Sequence, residues 1–106
     1  MFGKLVAIRV KSFRDLNCWR EAKALRVACY AFVKIFPAEE KFRLADQLIR
    51  SSRGIGNAIA EGHGRYHYQE NIQYCRIARG TLEGALDHLL IAQECDYISE
   101  EKISKF

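Results

Sequence analysis

The sequence predicts an all-α fold, because its apolar residues recur at helical spacing along most of its 106 residues. Hydrophobic residues make up 49% of the chain and Pro37 is the only proline, a composition that favours a compact helical domain over a disordered chain. At this length one modest hydrophobic core can form, so residues 1–106 are expected to be a single domain with residues 1–12 as an N-terminal lead-in. Only residues 5–10 of that lead-in, which are apolar and basic, resemble a strand.

The first helix is predicted from apolar residues that alternate by four and three positions. These residues are Cys18, Ala22, Leu25, Cys29, Phe32 and Phe36. Such a stripe forms the face of a helix that packs against other helices. Ser12 or Asp15 can cap the start of the helix. Pro37 is expected to end it, because proline disfavours the helical conformation of the residue before it.

Two longer helices and a short one are predicted to follow. The second runs from about residue 40 to residue 61, where Gly62 and Gly64 are expected to stop it. Its apolar stripe is Leu44, Leu48, Ile55 and Ile59. The third runs from about residue 67 to residue 95, with a stripe formed by Ile72, Cys75, Leu82, Leu86 and Leu89 and widened by Ala85 and Leu90. A fourth helix, short or truncated, is predicted after Ser99, which with residues 100–102 resembles a cap and a first turn.

The segment RSSRGIGNAIAEGHGR, residues 50–65, is rich in glycine and arginine. A dinucleotide-binding loop needs a third glycine where this chain has Ile59, and it follows a strand rather than a helix. A P-loop needs a Gly-Lys-Ser/Thr sequence that is missing here. Because glycine destabilises a helix by about 1 kcal/mol relative to alanine, Gly54 and Gly56 are predicted to mark tight packing against a neighbouring helix.

Charge is distributed unevenly around the overall net charge of +4. Residues 1–34 contain eight basic and two acidic residues, a net charge of +6, whereas residues 83–101 contain six acidic and no basic residues. A basic half indicates binding to nucleic acid or another polyanion. Alternatively, the two regions offset one another within the fold or between subunits, because neither is a dense block of like charge.

The four cysteines favour no metal or redox site. Cys18, Cys29, Cys75 and Cys95 lack CxxC spacing and lie on apolar helical stretches, so they are predicted to be reduced and buried. Two histidines, His63 and His67, lie four residues apart, but neighbouring glycines argue against a firm helix there and no HExxH motif is present. We therefore expect no metal, no cofactor and no catalytic residue.

Apart from residues 2–10, which Gly3, Lys4 and Arg9 interrupt, no stretch of the sequence resembles a signal peptide, and none approaches the length of a membrane span. The protein is therefore expected to be cytoplasmic and to have no membrane partner.

Two segments together resemble a known family. They are FPAEEKFRLADQLIRSSRGIGNAIAEGHGR at residues 36–65 and IARGTLEGALDHLLIAQECDYIS at residues 77–99. With the region around Trp19, they are similar to the four-helix-bundle proteins encoded in intervening sequences of bacterial 23S ribosomal RNA genes. The resemblance covers about residues 13–101.

The resemblance implies an up-down antiparallel four-helix bundle that assembles as a ring-like homopentamer with no established catalytic activity. A related group, the accessory variability proteins of diversity-generating retroelements, uses a similar pentameric barrel to bind a reverse transcriptase and nucleic acid. RNA, DNA and a reverse transcriptase are therefore the partners implied by analogy. Independently, three apolar helices and a barely begun fourth would leave an apolar groove uncovered, which also predicts a homo-oligomer.

Six basic residues of the first two helices are the candidates for nucleic-acid contact. They are Arg14, Arg20, Lys23, Arg43, Arg50 and Arg53. They could neutralise phosphates, or they could pair with Asp46, Glu61 or the acidic region 83–101. Aromatic residues could stack on bases, although such side chains more often fill a core or a subunit interface; they are Trp19, Tyr30, Tyr66, Tyr68 and Tyr74.

Two functional hypotheses follow from these features. One is a non-enzymatic oligomeric adaptor that binds nucleic acid or a nucleic-acid enzyme. The other is a purely structural homo-oligomeric assembly whose charges serve subunit contacts.

Overall fold

The computed structural model describes residues 12–65 and 67–104, and over these residues the chain is entirely helical, with four α-helices and no strand. The helices are α1 (Asn17–Val33), α2 (Leu44–His63), α3 (Tyr68–Glu94) and α4 (Glu100–Ile103). Short 3₁₀ turns at Phe13–Asp15 and Ala38–Glu40 precede α1 and α2. The all-α prediction is confirmed, and the arrangement is compatible with a helical bundle. The strand-like residues 5–10 lie outside the described residues.

The start of α1 differs from the prediction. Ser12 does act as a cap, because its hydroxyl accepts a hydrogen bond from the Arg14 amide at 3.1 Å and its own amide donates to Asp15 Oδ2 at 3.2 Å. That cap closes the 3₁₀ turn rather than the α-helix, which begins at Asn17 with Leu16 at its N-cap. At the other end α1 stops at Val33, short of Pro37.

The boundaries of α2 lie two to four residues beyond those predicted. Glu40, its expected first residue, ends the 3₁₀ turn Ala38–Glu40, residues 41–43 form a further turn, and the regular helix starts at Leu44. Gly62 does not stop the helix but lies buried inside it, and Gly64 is the C-cap residue with a right-handed helical φ of −74°. The predicted span of α3 and the start of the fourth helix at Glu100 are confirmed.

The hydrophobic core is built around α2, which packs against both α1 and α3. The molecule is elongated, with principal dimensions of 54 × 21 × 20 Å. Most residues of the two predicted stripes are buried, except that Cys18 is exposed and Ile59 is partly buried, and Ala58 of α2 is buried outside the predicted stripe. The buried stripe residues are Ala22, Leu25, Cys29 and Phe32 of α1, Phe36 in the turn after it, and Leu44, Leu48 and Ile55 of α2.

The interface between α2 and α3 consists largely of small residues. On α3 the buried positions are Ala78, Ala85, Leu89 and Ala92, whereas Leu82 and Leu86 are only partly buried and Leu90 is exposed. A Cβ atom added to Gly54 would lie 3.2 Å from Thr81 Cγ2. The prediction that glycines of this segment mark tight helix packing is therefore confirmed.

The segment after α3 folds back onto the turn before α2. Asp96 adopts a left-handed backbone conformation with φ of 62° and ends the helix. The next residue, Tyr97, packs its ring 5.3 Å from that of Phe36 and donates its hydroxyl proton to Glu40 Oε2 at 3.0 Å. This hydrogen bond raises the pKa of Tyr97 to about 12. The contact fixes the start of α4, whose Ile103 packs against the core.

The prediction that all four cysteines are buried is wrong for three of them. Cys29 is buried between the helices, where burial raises the pKa of its thiol to about 11 against a smaller lowering by the Ser52 hydroxyl. Cys18, Cys75 and Cys95 are exposed. Helical spacing identified the correct side of α1, but Cys18 lies at the end of the stripe, where no helix covers it.

We expect Gly62→Ala to lower the free energy of unfolding by about 1–3 kcal/mol, the usual cost of overpacking. Its new methyl group would lie 2.8 Å from both Tyr74 Cβ and Asn71 Oδ1, which forces the start of α3 to move. Gly80→Ala is the matched control, because it lies inside α3 with no atom within 4 Å of the added carbon. That change should stabilise the protein by about 0.5–1 kcal/mol through helix propensity alone. Chemical denaturation followed by circular dichroism measures both, and equal effects of the two variants would contradict the tight interface.

We expect Ile55→Asp to lower the free energy of unfolding by about 3 kcal/mol, because it places an unpaired carboxylate in the core. Ile55 is 4% exposed. The control, Ile77→Asp, makes the same change on α3 at a side chain that is 52% exposed, and it should leave the melting temperature nearly unchanged. Ile59→Asp should be intermediate, since Ile59 is only partly buried. An unaltered melting temperature for the Ile55 variant would disprove the assignment of the α2 stripe.

Candidate nucleic-acid interface

A second stripe runs along α1 beside its buried face. Trp19, Lys23, Arg26 and Tyr30 repeat the spacing of the apolar stripe one residue later. At 100° per residue this places aromatic and basic side chains along one edge of the buried face, next to α2. Three of the four residues are partly buried, and Lys23 is exposed.

Opposite this stripe, α2 contributes arginines, an amide and small residues. The two helices enclose an open groove of about 700 Å³, which we call the α1–α2 groove. Its lining residues are Phe13, Trp19, Arg26, Tyr30, Arg50, Arg53, Gly54, Gly56, Asn57 and Ala60.

At one end of the α1–α2 groove, Trp19 organises two cations. The Arg26 guanidinium carbon lies 5.4 Å from the indole centroid and Lys23 Nζ lies 5.9 Å from it. Phe13 packs edge-on against the same ring at 5.3 Å and an interplanar angle of 69°. Distances of this size are those of cation–π contacts, which hold a cation in place without neutralising its charge.

The glycine at position 56 makes this arrangement fit. A Cβ atom there would lie 3.3 Å from Arg26 Nη1 and 3.4 Å from Trp19 Nε1. Both side chains therefore pack directly on the backbone of α2. Gly56 lowers the helix propensity of α2, but its lack of a side chain lets Arg26 and Trp19 approach the backbone.

Further along the α1–α2 groove, Arg53 is held by Tyr30. Its Nε donates a hydrogen bond to the Tyr30 hydroxyl at 3.0 Å, and its guanidinium carbon lies 5.4 Å from the centre of the same ring. Arg50 lies beside it and contacts Asp46 Oδ2 through Nε at 3.3 Å, one helical turn away on the surface of α2. The Arg50 side chain is 80% exposed, so this ion pair is loosely held.

The charge of the α1–α2 groove is positive and largely uncompensated. Within residues 12–65 and 67–104, neither Arg26 nor Arg53 has a carboxylate within 4.0 Å, and Asp46 is the acidic group that pairs with an arginine of the groove. Arg26 is partly buried and Arg53 is exposed. A guanidinium without a carboxylate partner keeps its electrostatic attraction for an external anion. The groove is therefore suited to bind phosphate or another anionic group.

The structure places the six predicted basic residues in different surroundings. Arg50 and Arg53 line the α1–α2 groove, and Lys23 contacts Trp19 from its rim. Arg20 is turned toward the N-terminal turn, where its Nε donates to the Arg14 carbonyl at 3.1 Å and its Nη2 lies 3.8 Å from Asp15. Arg14 is exposed in that turn, and Arg43 is the N-cap residue of α2 and does not line the groove.

Arg26 lines the groove but is not among the six basic residues predicted from the sequence. The aromatic residues were expected to fill the core or a subunit interface. Tyr30 instead holds an arginine and Trp19 contacts two cations, while Tyr74 accepts a hydrogen bond from Arg65 Nη2 at 2.8 Å. Tyr68 is exposed, and Tyr66 lies outside the described residues. The signal that could have found Arg26 is the second stripe, in which cations and aromatics alternate at helical spacing.

A second groove, which we call the apolar groove, lies between α1 and α3 with α2 as its floor. Its volume is about 680 Å³. It is lined by Cys18, Glu21, Ala22, Ala24, Leu25, Ile55, Ile59, Cys75, Ala78, Arg79, Leu82 and Leu86. Two charges interrupt the apolar surface, Glu21 on α1 and Arg79 on α3.

The histidine pair considered as a metal site is divided between two helices. His63 is the last residue of α2 and His67 is the N-cap residue of α3. Among the residues that the structure describes, no group of three or more His, Cys, Asp or Glu side chains could hold a metal ion. None of the described helices is both long enough and apolar enough to span a membrane.

A model of a known protein family matches most of the chain. The model of a family described as 23S rRNA-intervening sequence protein matches residues 14–106 of the chain. No curated protein matches the sequence of the chain. The matched range includes all four helices and, apart from Phe13, all the residues that line the two grooves.

Proposed function

Because the chain belongs to the 23S rRNA-intervening sequence protein family, we propose that it is a non-enzymatic, oligomeric adaptor that binds nucleic acid through the α1–α2 groove. The observation that supports this proposal most directly is the pair Arg26 and Arg53, whose guanidinium groups lie in the groove without carboxylate partners among the described residues. Nucleic-acid binding that depends on phosphates needs cations of this kind and no base-reading motif.

The charge distribution of the chain supports the same proposal. Residues 1–34 carry a net charge of +6, and α1 with its basic stripe is part of this region. In a ring of subunits the excess would be repeated and would build a positive field that a single subunit lacks. Binding is expected to be weak per subunit, independent of sequence and strongly dependent on salt.

The absence of an enzymatic role is also a proposal. Cys75 is the exposed thiol closest in sequence to His67, and its Sγ contacts Asn71 Oδ1 at 3.8 Å rather than an imidazole. A nucleophilic cysteine needs an adjacent base. Within the described residues, no His, Cys, Asp and Glu side chains cluster as a metal-dependent enzyme would require.

We propose that the subunits assemble as a ring-like homopentamer of up-down antiparallel bundles. The apolar groove supports an interface, because contiguous apolar surface of this kind usually marks a contact between proteins. Glu21 and Arg79 on its two sides supply charges of opposite sign for pairing with a different face of the neighbouring subunit, because a ring of five is built from head-to-tail contacts. A nucleic-acid enzyme such as a reverse transcriptase is the protein partner that we propose for the assembled ring.

The alternative is a purely structural assembly in which the basic residues serve contacts within and between subunits. The observation in its favour is that Arg50 is paired with Asp46 inside one chain. The two proposals differ in whether the α1–α2 groove binds an external polyanion.

We expect the double variant Arg50→Glu, Arg53→Glu to bind every RNA or DNA sequence at least about tenfold more weakly. The slope of its salt dependence should become shallower by about 0.9 for each phosphate that the variant no longer neutralises. Fluorescence anisotropy with labelled RNA over a series of salt concentrations measures both quantities. The control, Arg76→Glu with Lys102→Glu, makes the same charge change at exposed positions outside the groove. Parental affinity of the double variant, or no binding by the parent at low salt, would favour the structural assembly.

We expect the reaction rates of the cysteine thiols to show whether the apolar groove is a subunit interface. At concentrations where the protein is oligomeric, Cys95 should react rapidly with a disulfide reagent, while Cys18 and Cys75 in the apolar groove should react slowly. Dilution to the monomer should expose the latter two. Cys29 should stay unreactive until the chain unfolds, because it is buried and its pKa of about 11 keeps it protonated at neutral pH.

Sedimentation measured on the same samples gives the oligomeric state, for which we expect a species five times the subunit mass. Sedimentation as a monomer throughout, with Cys18 and Cys75 reacting as rapidly as Cys95, would contradict the proposed interface.

A further inference from the structure

We propose that the α1–α2 groove binds the phosphate backbone of double-stranded nucleic acid, and that Trp19 and Tyr30 act there as positioning residues for arginines rather than as surfaces on which bases stack. This inference rests on the proposed function and deepens it by naming the form of the ligand and the division of labour among the side chains.

The first reason is that the aromatic rings of the groove are already engaged. Proteins that bind single strands stack successive bases on accessible aromatic faces. Here Arg26 and Lys23 lie over the indole of Trp19 at 5.4 and 5.9 Å, and Arg53 lies over the ring of Tyr30 at 5.4 Å. A base that stacked on a ring face covered by one of these cations would displace a cation that the same ligand needs for its phosphates.

The second reason is the orientation that Tyr30 imposes on Arg53. Its hydroxyl accepts the Nε hydrogen at 3.0 Å, which leaves the two terminal nitrogens of the guanidinium for a ligand. In the described part of the chain these nitrogens make no hydrogen bond. The terminal nitrogens form a planar fork whose geometry matches two oxygens of one phosphate.

The third reason is the match between the groove and a duplex. The cations of the groove come from two adjacent helices, Arg26 from α1 and Arg50 and Arg53 from α2. The residues that line the groove form no base-reading motif. A duplex presents one phosphate charge for about each 1.7 Å of its axis, a density that a single strand does not reach. RNA and DNA duplexes share this chemistry, so the experiment includes both.

The test is a double-mutant cycle between Tyr30 and Arg53. Affinities are measured by anisotropy for a short labelled RNA duplex, the DNA duplex of the same sequence and the single RNA strand. Tyr30→Phe removes the hydroxyl that holds Arg53 and keeps the ring and the charge, so duplex affinity should fall about fivefold, the change expected when one hydrogen bond is removed. Arg53→Gln should weaken binding further. The double variant should bind no more weakly than Arg53→Gln alone, because Tyr30 acts through Arg53.

The chain supplies a matched control in a second arginine–tyrosine pair. Arg65 Nη2 donates to the Tyr74 hydroxyl at 2.8 Å and its guanidinium carbon lies 5.1 Å from that ring, outside the groove. Tyr74→Phe and Arg65→Gln should leave duplex affinity within about twofold, the scatter of surface charge changes. Melting temperatures of all variants check that the fold is intact.

Tighter binding of either duplex than of the single strand, together with a non-additive cycle, supports the inference. Equal or tighter binding of the single strand, an unchanged duplex affinity for Tyr30→Phe, or additive effects of the two changes would each overturn it while leaving the proposed function in place. If none of the three probes binds at low salt, the proposed function itself fails and the inference fails with it.

Discussion

The close approach of α2 to both of its neighbours is the constraint on which the rest of the structure depends. On the side of α3, Gly62 leaves no room for a side chain and Gly54 leaves little, and on the side of α1, Gly56 lies under Trp19 and Arg26. Three glycines in one helix weaken its intrinsic stability. Packing on both sides offsets that loss, since most helical stability in proteins comes from tertiary contacts.

This close approach also decides which surfaces remain open. Because small residues fill the contact between α2 and α3, the larger Leu82 and Leu86 are left at its margin, where they line the apolar groove. On the other side, an α2 backbone without side chains at Gly56 gives the α1–α2 groove a floor on which a guanidinium and an indole can lie. One groove is therefore basic and the other apolar, and both result from the close packing of α2 against its neighbours.

Helical spacing predicted the fold class and most of the α1 and α2 core, because burial of one face imposes a period that a sequence displays directly. On α3 it was right for Ala85 and Leu89, but it omitted Ala78 and Ala92, which are small enough to be buried, and it included Leu90, which is exposed although it is apolar. Helical spacing did not indicate Arg26 as a site residue. The position of Arg26 in the groove depends on its contacts with Trp19 on the same helix and with Gly56 on α2, and a spacing pattern does not show such contacts. Gly62 was expected to end α2 because glycine favours helix ends. It lies inside the helix instead, because it packs against Asn71 and Tyr74 of α3.

The contact of Tyr97 with Glu40 has a consequence for the order in which the molecule folds. The helices α1, α2 and α3 each pack against the next helix in the chain, so their association closes only short loops. The hydrogen bond between Tyr97 and Glu40 instead joins residues 57 positions apart. Closing so long a loop has a larger entropic cost, which is recovered only once the intervening helices are in place. We therefore expect the C-terminal segment to dock last and to detach first, with Tyr97, Ile98 and Ile103 leaving the core together.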